Sequence, residues 1–393
     1  MPRPLGDKRA AVVIGTRPEA IKLAPVITEL RKRGIETSII GTGQHRDLVD
    51  PVLDLFGLKL DLDLEIMEPE SSLNAVLSRA IERLGAELET LHPDVVVVQG
   101  DTTSAMAGAL AAFNSHIPVA HVEAGLRSND LALPFPEEMH RRVISIVSQW
   151  NFAPTEYAAQ QLANEHQLGK VVVTGNTVVD AVAQIMRARK AKPSTILIPT
   201  APYLLATAHR RESWGRPIRN IALGLRDVLR TRPDVSLVFA THPNPLARLP
   251  VEETLADEPR ATVVGALEYD DFLALLQGAT VAVTDSGGVQ EEGPTLGVPI
   301  LVTRAVTERP EGLSAGAVQM VGTTRAAIRR EVNDLLDDRF ARARMSAAGR
   351  EVYGDGHAAT RIVDALVRDL GGRKAPRPRA EGRGGRKVSA GGD

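Results

Sequence analysis

Residues 281–299 run VAVTDSGGVQEEGPTLGVP, and their reading decides the fold. An apolar run, VAV, ends at Asp285 and Ser286; two glycines follow, and paired glutamates open what comes next. A short buried strand that turns through glycine into a helix is the recurring joint of parallel α/β sheets. Free N–H groups and the helix dipole at such a turn favour an anion, and glycine lets a phosphate approach the backbone. Two carboxylates directly afterwards look out of place. One of Glu291 and Glu292 can serve the dipole, as acids in a first turn commonly do. The other can point along the ligand, where a carboxylate accepts both hydroxyls of a ribose. A nucleotide carries diphosphate and diol side by side, so the combination is coherent.

The same joint recurs along the chain. The first half offers AAVVIGT (10–16), TSIIGTG (37–43), DVVVVQGD (94–101), IPVAHVEAG (117–125), NFAPT (151–155) and VVVTGN (171–176). The second offers YLLATAHR (203–210), VSLVFATHP (235–243), ATVVGAL (261–267), VAVTDSGG (281–288), PILVTR (299–304) and AVQMVG (317–322). Continuous apolar strands separated by amphipathic segments predict parallel sheets covered on both faces. Two sets of about six predict an α/β protein of two Rossmann-like domains facing across a cleft, a glycosyltransferase-B type of arrangement. The expected division is an N-terminal domain over 1–178 on the sugar and acid/base side, and a C-terminal domain over 179–348 on the nucleotide side. A terminal helix over 349–370, able to return to the N-terminal domain, and a disordered basic tail over 371–393 complete it. The segment KAKPSTILIPTAP (190–202) interrupts the pattern between the domains.

Composition excludes several alternatives. The formal net charge is −2 over 393 residues, but residues 371–393 carry seven Lys/Arg against two acids, or +5. The rest therefore sums to −7, a poor match for nucleic acid or an anionic membrane. Aromatics are only 3%, which argues against base-stacking platforms. There is no cysteine, hence no disulfide, thiol nucleophile or cysteine zinc site. The N-terminal MPRPLGDKRA lacks an apolar core, and no stretch approaches transmembrane length. A cytoplasmic protein is expected.

Polar residues cluster just after the strands, where open α/β sheets bind ligands. GTRPEAIK (15–22) places Arg17 and Lys22 at a strand-to-helix turn, two cations suited to a phosphate but without NTPase-loop spacing. QGDTTSA (99–105), HVEAGLR (121–127) and PFPEEMHRR (134–142) contribute Asp101, Glu123 and Glu137, with Glu138, His140 and Arg141 beside them. Asp101 alone could be a helix cap. Glu123 is neither a cap nor a good strand residue, and the three carboxylates together are candidate general acids and bases. AHRRESWG (208–215) and THPNP (241–245) bring His209, Arg210, Arg211, Glu212 and His242, which suit an anion. These histidines lack metal-ligand spacing.

Taken together, GTRPEAIK, TGQHR, GDTTS, HVEAGLR, PFPEE, FAPT, TGNTVVDA, AHRRE, HPNP, DSGGVQEEGPTLGVP, TERPEG and YGDG resemble the non-hydrolysing UDP-N-acetylglucosamine 2-epimerase family, from Val12 to Leu370. The resemblance implies interconversion of UDP-GlcNAc and UDP-ManNAc without an organic cofactor or a required metal. It implies anti elimination of UDP across C1–C2 and its re-addition to a bound 2-acetamidoglucal. By motif, Asp101, Glu123 and Glu137 are the implied acids and bases, with His209 near the diphosphate. Arg17, Ser286, Gly287 and Gly288 are implied at the phosphates, Glu292 at the ribose and Phe272 at the uracil. Lys22, Arg141, His242 and Arg309 match further site positions, and a homodimer is implied.

Departures accompany the resemblance. His140 stands where the family usually has Asn. Bacterial members often bind a second UDP-GlcNAc as activator; Gln44 of that site is kept, but Asp47 and Glu70 stand where a Gln and an Arg are often found. A carboxylate in place of a cation would repel a second diphosphate, so weak or absent substrate activation is expected. An epimerase for another UDP-2-acetamido sugar, a hydrolysing form and a non-catalytic nucleotide-sugar binder remain open at this point, and a glycosyltransferase fits the fold.

Overall fold

The structure, a computed structural model, describes residues 7–43, 46–68, 71–189, 198–199, 202–210 and 213–371. Gln44, Glu70, Arg211, Glu212, the tail from residue 372 and most of the 190–202 segment lie outside these, as does the side chain of Asp47.

The first sheet holds strands β1 (Arg9–Ile14), β2 (Glu36–Gly41), β3 (Leu62–Asp63), β4 (Val95–Gln99), β5 (Val119–Val122), β6 (Trp150–Ala153) and β7 (Lys170–Val173). The second holds β8 (Tyr203–Ala208), β9 (Ser236–Thr241), β10 (Ala261–Val264), β11 (Val281–Thr284), β12 (Ile300–Val302) and β13 (Val318–Met320). The spatial orders are β3-β2-β1-β4-β5-β6-β7 and β10-β9-β8-β11-β12-β13. Every recorded pairing is parallel, for example Val12 opposite Ile39 and Val97, and Val283 opposite Ala206 and Leu301. The two-residue β3 was not anticipated, being too short for any alternation to register.

The helices of the first half are α1 (Arg17–Lys32), α2 (Arg46–Leu55), α3 (Leu73–Leu91), α4 (Thr103–Asn114), α5 (Glu137–Val147), α6 (Glu156–Asn164) and α7 (Thr177–Arg189). Those that follow are α8 (Arg216–Thr231), α9 (Pro245–Leu255), α10 (Tyr269–Gly278), α11 (Val289–Thr295), α12 (Pro310–Ser314), α13 (Arg325–Asp337), α14 (Arg339–Val352) and α15 (Ala358–Gly371). Each sheet is covered on both faces, which is why its strands are apolar on both sides: Val95 to Val98 and Val281 to Val283 are all buried.

Strand order reverses between β1 and β4 in the first sheet and between β8 and β11 in the second. Those two switch points are where crevices open beyond the strand ends. They supply the turns carrying Arg17 and Asp101 on one side and His209 and Ser286 on the other.

The halves are joined at several places. Helix α15 packs Ile362, Val363 and Leu366 into the core that also contains Leu23 and Ile27 of α1. Its tip is tied down by Asp369, which accepts from Trp150 Nε1 at 2.7 Å and Lys170 Nζ at 2.6 Å. Where the chain passes from α14 to α15, Tyr353 O accepts from Asn176 N at 2.8 Å. Asp180 of α7 caps α15 by accepting from Ala358 N and Ala359 N at 3.2 and 3.0 Å. Arg189 at the end of α7 bonds Asp270 and Asp271 of α10 at 3.0 and 2.6 Å.

Candidate active site

The turn after β1 is built by a capping box. Glu19, the third residue of α1, accepts from Gly15 N at 2.9 Å and Thr16 N at 2.6 Å. Its other oxygen accepts from Thr102 Oγ1 at 2.6 Å, so the turns after β1 and β4 share one buried carboxylate. Burial pushes Glu19 up to about 7 despite these donors. Arg17, half-buried at the start of α1, lies 6.0 Å from the ring centroid of Tyr269 in the second half.

Glu123 follows β5 with φ +64°, a left-handed conformation that costs a non-glycine residue about 1–2 kcal/mol. Two partners hold it there. Lys22 Nζ stands 2.6 Å from Oε2, and Gln99 Nε2 donates to the same oxygen. Burial raises the Glu123 pKa, and the charge of Lys22 opposes it.

Helix α5 carries the PEE motif, and its two acids diverge. Glu138 is buried and accepts from Ser128 N at 2.9 Å, Arg142 Nε at 2.9 Å and Arg141 Nη1 at 3.2 Å, so it holds the preceding loop. Glu137 keeps one buried carboxylate oxygen without a hydrogen-bond partner among the described residues. One turn on, Arg141 donates Nε to Asp101 at 3.0 Å and also pairs through Nη2. The three acids anticipated for the first half therefore lie in two kinds of setting: Asp101 and Glu123 gripped by cations, Glu137 with a free oxygen.

In the second half, buried Asp285 organises the turn after β8. It accepts from His209 N at 3.1 and 3.0 Å and from Arg210 N at 3.0 Å. His209 Nδ1 is 3.7 Å from the same carboxylate. Burial lowers the His209 pKa, and Asp285 pulls it only partly back.

The first glycine of the turn after β11 leaves room for two cations. A Cβ on Gly287 would meet Arg309 Nη1 at 2.8 Å and Arg210 Nη2 at 3.3 Å. Arg309 in turn donates Nε to Glu291 Oε1 at 2.5 Å. The other Glu291 oxygen is 2.8 Å from Lys22 Nζ. Glu291 is thus a buried member of a chain that runs Glu123, Lys22, Glu291, Arg309 across the two halves. Its pKa is lowered: burial pushes it up, but Arg309 and Lys22 outweigh that. Neither glutamate of the pair merely faces the helix dipole. Glu292 accepts from Tyr269 Oη at 2.9 Å, and burial raises its pKa.

The remaining anticipated positions are less constrained. Ser286 N donates to Thr284 Oγ1 at 2.9 Å. Gly288 precedes α11, and a Cβ there would meet the Glu292 carboxylate at 3.4 Å. Phe272 is half-buried against the second core beneath α10. His242 is exposed, its Nδ1 accepting from Asn244 N at 3.0 Å. Gln44 is outside the described residues.

Sequence reasoning gave no role to Glu19, Gln99, Asp285 or Tyr269, and left Glu291 open. Thr16 and Glu19 form the spacing of a capping box, so a signal for Glu19 existed. The others are recognisable only by what they touch. Among the described residues no group of three His, Asp or Glu side chains is placed to hold a metal ion, and no helix is long and apolar enough to cross a membrane.

Two parallel sheets, joined at their switch points around buried acids and a cationic glycine turn, define an α/β protein of the glycosyltransferase-B type. A glycotransferase of kitacinnamycin shares this fold at 18% identity, with TM-score 0.61 over 94% of this chain and all of that one. The family model for UDP-N-acetylglucosamine 2-epimerase matches residues 28–367, and the chain belongs to that family. It is 42% identical to the UDP-N-acetylglucosamine 2-epimerase of Escherichia coli K12, across 91% of this chain and 98% of that protein. The crystal structure of UDP-GlcNAc 2-epimerase from Neisseria meningitidis bound to UDP-GlcNAc superposes with TM-score 0.86 at 41% identity, covering 92% of this chain and 100% of that one. The Methanocaldococcus jannaschii enzyme, in complex with UDP-GlcNAc and UDP, gives TM-score 0.77 at 32% identity over 92% and 99%.

Proposed function

We propose that the protein interconverts UDP-GlcNAc and UDP-ManNAc by the non-hydrolysing route. The observation that carries this reading is the position of Lys22, whose Nζ is 2.6 Å from Glu123 and 2.8 Å from Glu291. One cation links an acid/base candidate of the first sheet to the anion-binding turn of the second, so proton transfer and diphosphate departure meet at one point.

In the forward direction a carboxylate removes the C2 proton while the C1–O bond breaks. Its electron pair leaves with the β-phosphate of UDP, and C1=C2 forms in 2-acetamidoglucal. UDP then adds back to C1 as a proton reaches C2 from the opposite face. Glu123, which burial makes more basic, and Glu137, with its free oxygen, are the proton carriers. Asp101 is the third acid of the site, oriented by Arg141. Arg17, Arg309, Gly287, Gly288 and Ser286 hold the diphosphate, where His209 balances the charge that develops. Glu292 takes the ribose and Phe272 the uracil, with His242 at the rim. A UDP detached yet held in this way re-adds instead of escaping to water. In this reading residues 1–178 and 179–348 act as the sugar and nucleotide domains, and the working unit is a homodimer.

The test is NMR of the purified protein with UDP-GlcNAc in D₂O. UDP-ManNAc carrying deuterium at C2 is the expected product. Free ManNAc with UDP identifies the hydrolysing reaction instead, and binding without turnover overturns an enzymatic role on this sugar.

A further inference from the structure

The face of α5 that carries Glu137 and Arg141 also carries His140, a residue the proposed chemistry leaves unused. Its side chain is enclosed, with 4% of the residue exposed. Nδ1 lies 2.9 Å from the main-chain oxygen of Asp101. A carbonyl oxygen can only accept, so Nδ1 carries the hydrogen. The next residue, Arg141, bonds the Asp101 carboxylate. Successive residues of one helix thus grip the main chain and the side chain of the same acid.

A neutral ring protonated on Nδ1 keeps its lone pair on Nε2. Among the described residues nothing bonds that atom. The charged groups around the ring are Asp101 on the turn after β4 and Glu137 and Arg141 on its own helix. Burial lowers its pKa below the ordinary 6.5, and the two acids do not restore it. With Nδ1 engaged, His140 leaves Nε2 as a ring acceptor beside Asp101 and Glu137. Another carboxylate there would repel the electron density that develops at C2; a neutral nitrogen does not.

We propose that His140 is a positioning and specificity-determining residue: Nδ1–H fixes the Asp101 turn, and Nε2 accepts a hydrogen bond from a hydroxyl or amide N–H of the bound sugar. The sugar's identity as a 2-acetamido hexose rests on the function proposed above.

The experiment is long-range ¹⁵N–¹H NMR of the full-length protein labelled at histidine. The chain has nine histidines, so His140→Asn identifies the signal by its loss, with His140→Gln as the second variant should Asn not fold. At pH 7 the expected pattern is the Nδ1–H tautomer, unmoved by saturating UDP and with Nε2 shifted by UDP-GlcNAc. Kinetics should agree: His140→Asn raises KM for UDP-GlcNAc about tenfold, the size of one lost hydrogen bond, while Ki for UDP is unchanged. An imidazolium or an Nε2–H ring at pH 7 would overturn the proposal. So would an Nε2 signal that responds equally to UDP and to UDP-GlcNAc. If UDP-GlcNAc binds without turning over, the proposed activity fails, yet the histidine spectrum still decides the role of His140.

Discussion

Lys22 and Glu291 stand on helices that serve opposite sheets, yet their charged atoms are 2.8 Å apart and both side chains are out of solvent. Such a pair is a weak source of stability in itself, because desolvation offsets most of the attraction. Breaking it is another matter. Lys22→Met leaves Glu123 and Glu291 buried near each other without the cation between them. The variant should lose about 3–5 kcal/mol of folding stability, measured by chemical denaturation. An unchanged midpoint and slope would mean the pair is not formed in solution.

Glu123→Gln keeps the shape of the side chain and removes the proton carrier. Turnover of UDP-GlcNAc should fall by roughly 10²–10⁴-fold, the range expected for one lost acid/base group. UDP affinity, read by calorimetry, should stay within a few-fold, since Glu123 is not among the groups proposed to hold the diphosphate. Retained turnover would shift the proton transfer to Glu137.

Gly287→Ala would place a methyl 2.8 Å from Arg309 Nη1. The obstacle is the end of a flexible side chain, so the protein should fold and its thermal midpoint should hardly move. Arg309 must then leave the glycine turn, and UDP affinity should fall about tenfold, the worth of one charge-assisted contact. Wild-type affinity in this variant would place the phosphates elsewhere.

Glu19 links folding to pH. Its carboxyl is raised from 4.5 to about 7 in the folded protein, so the fold favours the protonated form. That contribution is full below pH 4.5 and is lost as pH rises through 7, a change of about 3 kcal/mol by linkage. Glu19→Gln remains uncharged and should show a flatter stability curve across this window. Parallel curves for the two proteins, from denaturation at pH 5, 6 and 7.5, would refute the assignment.

The fold was legible because most strands contain a continuous apolar run with a polar residue near its end, the pattern of a sheet covered on both faces. β3 escaped because two residues carry no pattern. At the site, Arg17, Asp101, Glu123 and Ser286 were visible as charged or glycine-flanked residues just after strands, and Lys22 as a second cation early in the helix that follows β1. The partners that tune them were not. Gln99 lies within a strand, and Asp285 could have been an ordinary cap. Glu291 differs from Glu292 only in which way the helix turns it. Their roles come from contacts between separate segments, 24 residues apart for Gln99 with Glu123 and 76 for Asp285 with His209, and one-dimensional spacing does not encode those.

The passage from α14 to α15 runs beside the segment that leads into α7, with Gly354 and Gly175 in close approach and Tyr353 bonded to Asn176. The return of the chain from α14 and the entry to α7 are thus stapled side by side. Neither passage can slide along the other without breaking the Asn176–Tyr353 bond, so the last helix is anchored to the seventh both there and through the Asp180 cap.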